Sequence, residues 1–219
     1  MKQVIILGTS GHSKVVTDIF RASSEYEILG YLSSDTSIKE FEFLPILGTE
    51  EDYFANHTIR DDVYFFIAIG DNYIRSKVAS KLKVLYPSIQ FATAIHPSAV
   101  ISPSAVIGDG TAVMAQVAVN AHSRIGTHCI LNTSCSIDHD NILSDFASAA
   151  PGVHTGGNVS IGTCSAVSIG SIVLHQVKID DHTVVGAGTV VTKNIPAYSI
   201  AYGSPCKVIR SRKEGEKYL

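Results

Sequence analysis

The sequence predicts two fold classes in succession: a small α/β unit with a parallel sheet, then a coil of short parallel strands. Three observations carry this. Two apolar runs, Val4-Ile5-Ile6-Leu7 and Val63 to Ile69, each end at a glycine and lead into a helical pattern. From Ile95 onward an aliphatic residue recurs every six positions, through Ile101, Ile107, Val113, Val119, Ile125, Leu131, Ile137 and Leu143. The same walk continues through Ala149, Thr155, Ile161, Val167, Val173, Ile179, Val185 and Val191 without an insertion, and only Ala149 and Thr155 in it are not branched aliphatic residues.

The elements of residues 1–92 follow in order. The first strand at Val4–Leu7 gives way to a turn at Gly8-Thr9-Ser10-Gly11-His12. Ser13–Ala22 then reads as a helix with Val15, Val16, Ile19 and Phe20 inward. A second strand is expected at Glu27–Leu32. Thr49 caps a helix to Asn56, with Glu50, Glu51 and Asp52 at its positive end. Val63–Ile69 is a further strand, Asp71–Leu85 a helix and Ile89–Thr93 a last strand. Alternating strands and helices give a parallel sheet with helices on its faces. Ligands of such sheets sit where strands end, and Gly8 and Gly70 mark two such ends. Gly8-x-x-Gly11 fits either a tight turn or a phosphate cradle. It is not the GxGxxG of dinucleotide sites, and NAD is not expected.

In residues 93–202 each six-residue unit is one short strand and a turn, three units closing a triangular coil. The seventeen units make between five and six coils, a prism roughly 25–28 Å tall at the strand spacing of a sheet. Four places after each anchor the residue is small or β-branched, as a narrow corner requires; Asn141 and Ile195 are the exceptions. Cys129 and Cys135 belong to this set and read as packing residues. Residues 203–219 form a tail.

The wall of the prism is chemically plain except at Asp138-His139-Asp140. A histidine beside a carboxylate is held in one tautomer and made more basic, which suits a general base. Without further context the same triplet also fits a solvated charged turn. His122, His128, His154, His175 and His182 read as turn or outer-face residues. His122 and His128, six apart on adjacent faces, do not build a metal site, and no metal is expected.

Taken together, the hexapeptide pattern resembles the left-handed β-helix acyltransferases. Further segments resemble one subfamily of them: Gly8-Thr9-Ser10-Gly11-His12-Ser13-Lys14, Ile67-Ala68-Ile69-Gly70-Asp71-Asn72, Ile95-His96-Pro97-Ser98-Ala99 and Leu131-Asn132-Thr133. Asp138-His139-Asp140, Gly157-Asn158-Val159, Gly186-Ala187-Gly188 and Gly203-Ser204-Pro205-Cys206-Lys207 do so too. That subfamily holds the nucleotide-sugar N-acetyltransferases of surface-glycan synthesis and sialic acid O-acetyltransferase-like proteins. The resemblance implies a Rossmann-like sheet in 1–92 for a nucleotide-sugar and a left-handed parallel β-helix in 93–202 for acetyl-coenzyme A.

It also implies roles. His139 would be the general base and Asp140 its orienting partner, with a less direct reach than the glutamate of some relatives. Ser10, Gly11, His12, Gly70 and Asn132 would contact the nucleotide-sugar, and Ser33, Ser34 and Asp35 would stand where its base is read. Ser148, Ile169 and Ala187 would touch acetyl-coenzyme A, with Gly186-Ala187-Gly188 leaving room for its pantetheine arm. Lys207, Arg210, Arg212 and Lys213 would meet its phosphates, or else form a solvated basic tail. The implied reaction is N-acetylation of a nucleotide-linked 4-amino-4,6-dideoxy sugar by direct attack, in a homotrimer whose sites are shared between subunits. O-acetylation of a sialic acid and a non-enzymatic nucleotide-sugar-binding role are the alternatives.

Composition agrees with this outline. Apolar residues at 45% and charged residues at 17% describe a soluble globular chain. A net charge of −3 gives no footprint for nucleic acid or an anionic membrane. The start MKQVIILGTSGHSK, with only a short apolar run before glycine and polar residues, is expected to be neither a signal peptide nor a membrane span. Four cysteines without CxxC spacing read as free thiols, consistent with a cytoplasmic location.

Overall fold

The computed structural model describes residues 1–218. Its N-terminal sheet is built around β1 (Lys2–Leu7), which pairs in parallel with β2 (Tyr26–Leu32) and β5 (Val63–Ile67). The central strand is apolar on both faces, with Val4, Ile5 and Ile6 fully buried, as a sheet covered on both sides requires. Helix α1 (Gly11–Ser23) buries Val16, Ile19 and Phe20 on one stripe. Val15, expected inward, is 40% exposed because it falls one position off that stripe. Helix α2 (Glu50–Asn56) is capped by Thr49, whose hydroxyl accepts from Asp52 N–H. Helix α3 (Asn72–Leu85) is capped in the same way by Asp71, which accepts from Ile74 N–H.

Two details differ from the sequence expectation. A hairpin of β3 (Glu40–Phe41) and β4 (Leu44–Gly48) adds to the edge, giving the order β3-β4-β2-β1-β5. Ile89–Thr93 is not a strand: the chain makes one bridge, Phe65 to Phe91, and then leaves to begin the first coil at Ala94.

The prism has three parallel faces of two-residue strands. The first face stacks strands beginning at Ala94, Ala112, Ile130, Ser148, Ala166 and Val184. The second begins at Val100, Ala118, Ser136, His154, Ile172 and Val190, and the third at Val106, Arg124, Ile142, Ser160 and Lys178. In each strand the second residue is the six-step anchor and points inward; Val113, Leu131, Ile137, Ala149 and Ile161 are all fully buried. Corners carry one residue in the left-handed region three places after the anchor, among them His122, His128, Asp140, Asn158, Gly170 and His182. Histidine, asparagine and aspartate tolerate that conformation better than most residues. This explains the six-step spacing of several histidines without any ligand.

The N-terminal unit covers the first face. Asn72, in the first turn of α3, donates from Nδ2 to Ser148 Oγ at 2.9 Å and to the Ser165 carbonyl at 3.1 Å. Arg75 is 1% exposed and donates to the carbonyls of Ile69, Gly70, His128 and Phe146. The other faces stay open, with Val100 71%, Val106 51%, Ile142 51% and Ile172 43% exposed. No helix among the described residues is long and apolar enough to cross a membrane.

Candidate active site

Where α1 and α3 meet the first face they leave a cavity of about 460 Å³. From the N-terminal unit come Gly11, His12, Val15 and Gly70; from the prism come Asn132, Ser148, Ile169 and Ala187 with a bed of alanine, valine and isoleucine. Residues expected to touch the sugar and residues expected to touch the acyl donor thus share one chamber. Its only titratable imidazole, His12, lies in the first turn of α1 rather than in the preceding loop. Burial, with the Arg75 cation nearby, pushes its pKa down to about 4, so it is neutral at pH 7. His12 Nε2 is buried and has no hydrogen-bond partner, as expected of a group that a ligand satisfies.

A second cavity of about 350 Å³ opens at the carboxyl ends of β1 and β2, lined by Gly8, Ser33, Ser34, Thr49 and Glu50. Ser33 is buried and its hydroxyl is tied to Thr9 Oγ1 and to Asp35 N–H, each at 3.1 Å. Asp35 itself turns away, its carboxylate accepting from Ser37 N–H and Ser37 Oγ, which hold its pKa below the usual carboxylate range. Ser10 is the N-cap of α1 between the two cavities, its N–H donating to Ser13 Oγ at 3.1 Å.

His139 and Asp140 stand elsewhere, on the corner that follows the second face. Asp140 Oδ2 accepts from His139 Nδ1 at 2.7 Å. The expected loss of reach with the shorter aspartate does not occur, because the left-handed backbone of Asp140 (φ 57°) swings its carboxylate back to the ring. A carboxylate only accepts, so Nδ1 carries the proton and Nε2 keeps its lone pair. The Asp140 hydrogen bond raises the imidazole pKa, and Asp138 adds to the effect. Asp138 is itself held low by Asn120 Nδ2 and His139 N–H. The ring lies over the α-carbon of Gly157, where a β-carbon would fall 2.5 Å from Cε1 and Nε2.

Comparison with known proteins places this geometry. The profile of the PglD N-terminal domain matches residues 3–82. A histidine-to-alanine variant of the GDP-perosamine N-acetyltransferase of Caulobacter crescentus, solved with CoA and GDP-perosamine, is 34% identical, with a TM-score of 0.86 over 96% of this chain and 98% of that one. The chain belongs to the hexapeptide-repeat nucleotide-sugar N-acetyltransferases. In that family its prism is a left-handed parallel β-helix. The acetyltransferase domain of PglB from Neisseria gonorrhoeae, solved with acetyl coenzyme A, is 32% identical, with a TM-score of 0.88 over 95% and 99%. Matches to curated relatives are shorter. The UDP-N-acetylbacillosamine N-acetyltransferase of Bacillus subtilis is 37% identical over 107 residues, 46% of this chain and 45% of that protein. A Staphylococcus aureus relative matches over 29% of its own length.

In the structure, three sequence expectations take a more definite form. Within Gly186-Ala187-Gly188 the room lies at one end only: a β-carbon at Gly186 would meet the Tyr202 side chain at 2.8 Å, whereas one at Gly188 would meet nothing within 4 Å, and Ala187 lines the cavity. Arg210 and Arg212 are not a free basic tail. Arg210 pairs with Glu216 at 2.6 Å, and Arg212, 8% exposed, donates to the carbonyls of His182 and Glu216. Lys207 is exposed on the strand Lys207–Ser211 and does not line the cavity. Conversely, Tyr218 was not foreseen. The chain folds back so that Tyr218 lines the first cavity and its hydroxyl accepts from Asn72 N–H at 3.3 Å. No local motif announces it, since its partner lies 146 residues away.

Proposed function

We propose that this protein moves an acetyl group from acetyl-CoA to the amino group of a nucleotide-linked 4-amino-4,6-dideoxy sugar, a step in surface-glycan assembly in the cytoplasm. The observation that carries the reading is the His139–Asp140 pair, a 2.7 Å dyad with a free Nε2 on an otherwise plain wall. Relatives of the same fold and over 30% identity are solved with CoA and GDP-perosamine or with acetyl coenzyme A. In the proposed step, the sugar amine attacks the thioester carbonyl and forms the C–N bond while Nε2 takes its proton. The tetrahedral intermediate then collapses with cleavage of the C–S bond, and His139 returns the proton to the departing thiolate.

Residues 1–92 would hold the nucleotide-sugar, its base toward Ser33 and Ser34, and residues 93–202 the acyl donor. Within one chain the cavity lined by His12 lies along the first face, whereas His139 lies on the corner beyond the second. A cyclic homotrimer supplies the missing approach: the open apolar positions Val100, Ile142 and Ile172 would be covered, and one subunit's dyad would meet a neighbour's cavity.

The test is a panel of 4-amino nucleotide-sugars and free sialic acids with acetyl-CoA, read by thiol release. Transfer to a nucleotide-linked amine is expected, and release with the sialic acids alone would replace the reading with O-acetylation. His139→Ala should lower kcat by about 10²-fold or more with assembly intact; near-normal turnover would remove His139 from the mechanism.

A further inference from the structure

Two residues break the pattern of the prism interior, and the fold brings them together. Thr155 puts a hydroxyl at an inward position otherwise held by aliphatic residues, and Asn141 an amide at a corner position that, the bulkier Ile195 apart, is otherwise held by small or β-branched ones. Both are buried, Asn141 fully and Thr155 to 7% exposure. Asn141 Nδ2 donates to Thr155 Oγ1 at 2.6 Å, and Asn141 Oδ1 accepts from Val159 N–H at 2.5 Å. Thr155 Oγ1 also accepts from Asp138 N–H at 3.1 Å and donates to the Ser136 carbonyl at 3.3 Å.

The bond to Asp138 is the informative one. In the regular wall, the residue after each strand donates its N–H to the carbonyl seventeen places on: Asn120 to Ile137, Asn132 to Ala149, Ser144 to Ile161, Gly156 to Val173. At Asp138 that amide goes to the Thr155 side chain instead. Parallel register between the two strands shrinks to the single pair Ser136–His154. The ladder is thus opened at one rung, immediately before His139. Beyond the turn, Asn141 N–H is held by Ser123 Oγ at 3.1 Å. The His139–Asp140 turn is therefore clamped on both sides by side chains.

We propose that Asn141 and Thr155 are positioning residues for the base, their buried hydrogen bond opening the ladder at Asp138 and aiming the His139–Asp140 turn. This rests on the reading of His139 as the base. A purely structural pair has a different signature. Buried polar pairs replaced together by apolar groups of similar shape cost little stability or even add some. A pair kept for stability would therefore leave catalysis unchanged when replaced.

The experiment compares Thr155→Val, Asn141→Val, the double variant and Thr155→Ser. Each is read by kcat, KM, the pH profile and the His139 imidazole titration by NMR, with the resonance identified by its loss in His139→Ala. Thr155→Val should lower kcat by between about tenfold and a hundredfold, with KM for acetyl-CoA changed by no more than about twofold. Its imidazole should titrate nearer the ordinary histidine value. Thr155→Ser, which keeps the hydroxyl, should restore both. The double variant should be no worse than Thr155→Val, because the two act as one unit; it also keeps the test open should the single variant fail to fold. Unchanged kcat and unchanged His139 titration in the folded variants would overturn the proposal. Should the wild-type protein acetylate nothing, the reaction reading fails, while the NMR titration still decides whether the pair holds the dyad.

Discussion

The corners Asn120–Ser123 and Asp138–Asn141 lie one coil apart on the same edge of the prism and share a backbone. His122 and Asp140 occupy the same left-handed position, with φ of 60° and 57°. Ser123 and Asn141 are both fully buried at the following position. The lower corner keeps the regular ladder, Asn120 N–H donating to the Ile137 carbonyl. The upper one gives up that bond to Thr155 and places an imidazole where the lower has Ala121. The repeat therefore decides where a side chain can stand, and the departures from it decide what chemistry stands there. A prism that repeats its backbone so closely gives any one corner little geometric individuality, so that individuality has to come from side-chain bonds.

The strongest test of this contrast is Gly157→Ala. Gly157 occupies the corner one coil above His139 and has no left-handed φ requiring glycine. Its missing β-carbon is instead the bed of the imidazole, which would be met at 2.5 Å. The ring must then shift, and a misplacement of about 1 Å costs roughly a hundredfold in rate. We expect kcat to fall by about that factor with thermal unfolding little changed. Wild-type turnover in this variant would show that the ring is not held there.

A smaller effect is expected from Asp140→Asn. The carboxylate raises the His139 pKa chiefly through its hydrogen bond. Only the deprotonated ring is a base, so kcat should rise with pH along a limb above the ordinary imidazole value of about 6.5. Removing the carboxylate should move that limb down, incompletely because Asp138 also raises the pKa, and lower the plateau by about tenfold. A limb that stays in place would assign it to another group. The linkage to stability has the matching sign. A raised folded-state pKa stabilises the fold below the unfolded value, and the contribution is lost as pH climbs through the folded one.

Much of the prism was legible because its signals are periodic. An aliphatic anchor every six residues predicts the inward walk, and from Thr111 onward the residues four places later are buried as the corner requires. The corner proposed for the base was legible as a departure, Asp-His-Asp on a plain wall. Less was legible where partners are distant or ordinary in type. Thr155 stood out as an exception, but its bond to Asn141, fourteen residues away, is a property of the coil. Nothing in the sequence of α3 sets Arg75 apart from its lysines, yet it is buried on four carbonyls from both halves of the chain. The β3–β4 hairpin turns at Glu42 and Phe43, both in left-handed backbone that neither residue type signals.

The smallest expected effect sharpens the comparison from the other side. His122 sits directly below Asp140, exposed, in the left-handed position of its corner. Its N–H is satisfied by Ser104 Oγ at 3.1 Å, a backbone bond that survives any side chain. If histidine is there because it tolerates the left-handed region, asparagine should serve as well. His122→Asn should therefore leave stability within about 0.5 kcal/mol and leave kcat and its pH limb in place. The variant pairs naturally with His139→Ala, since the two histidines lie on neighbouring coils of one edge. A large loss of activity in His122→Asn would mean that the site extends down a coil, and that the lower corner carries chemistry as well as shape.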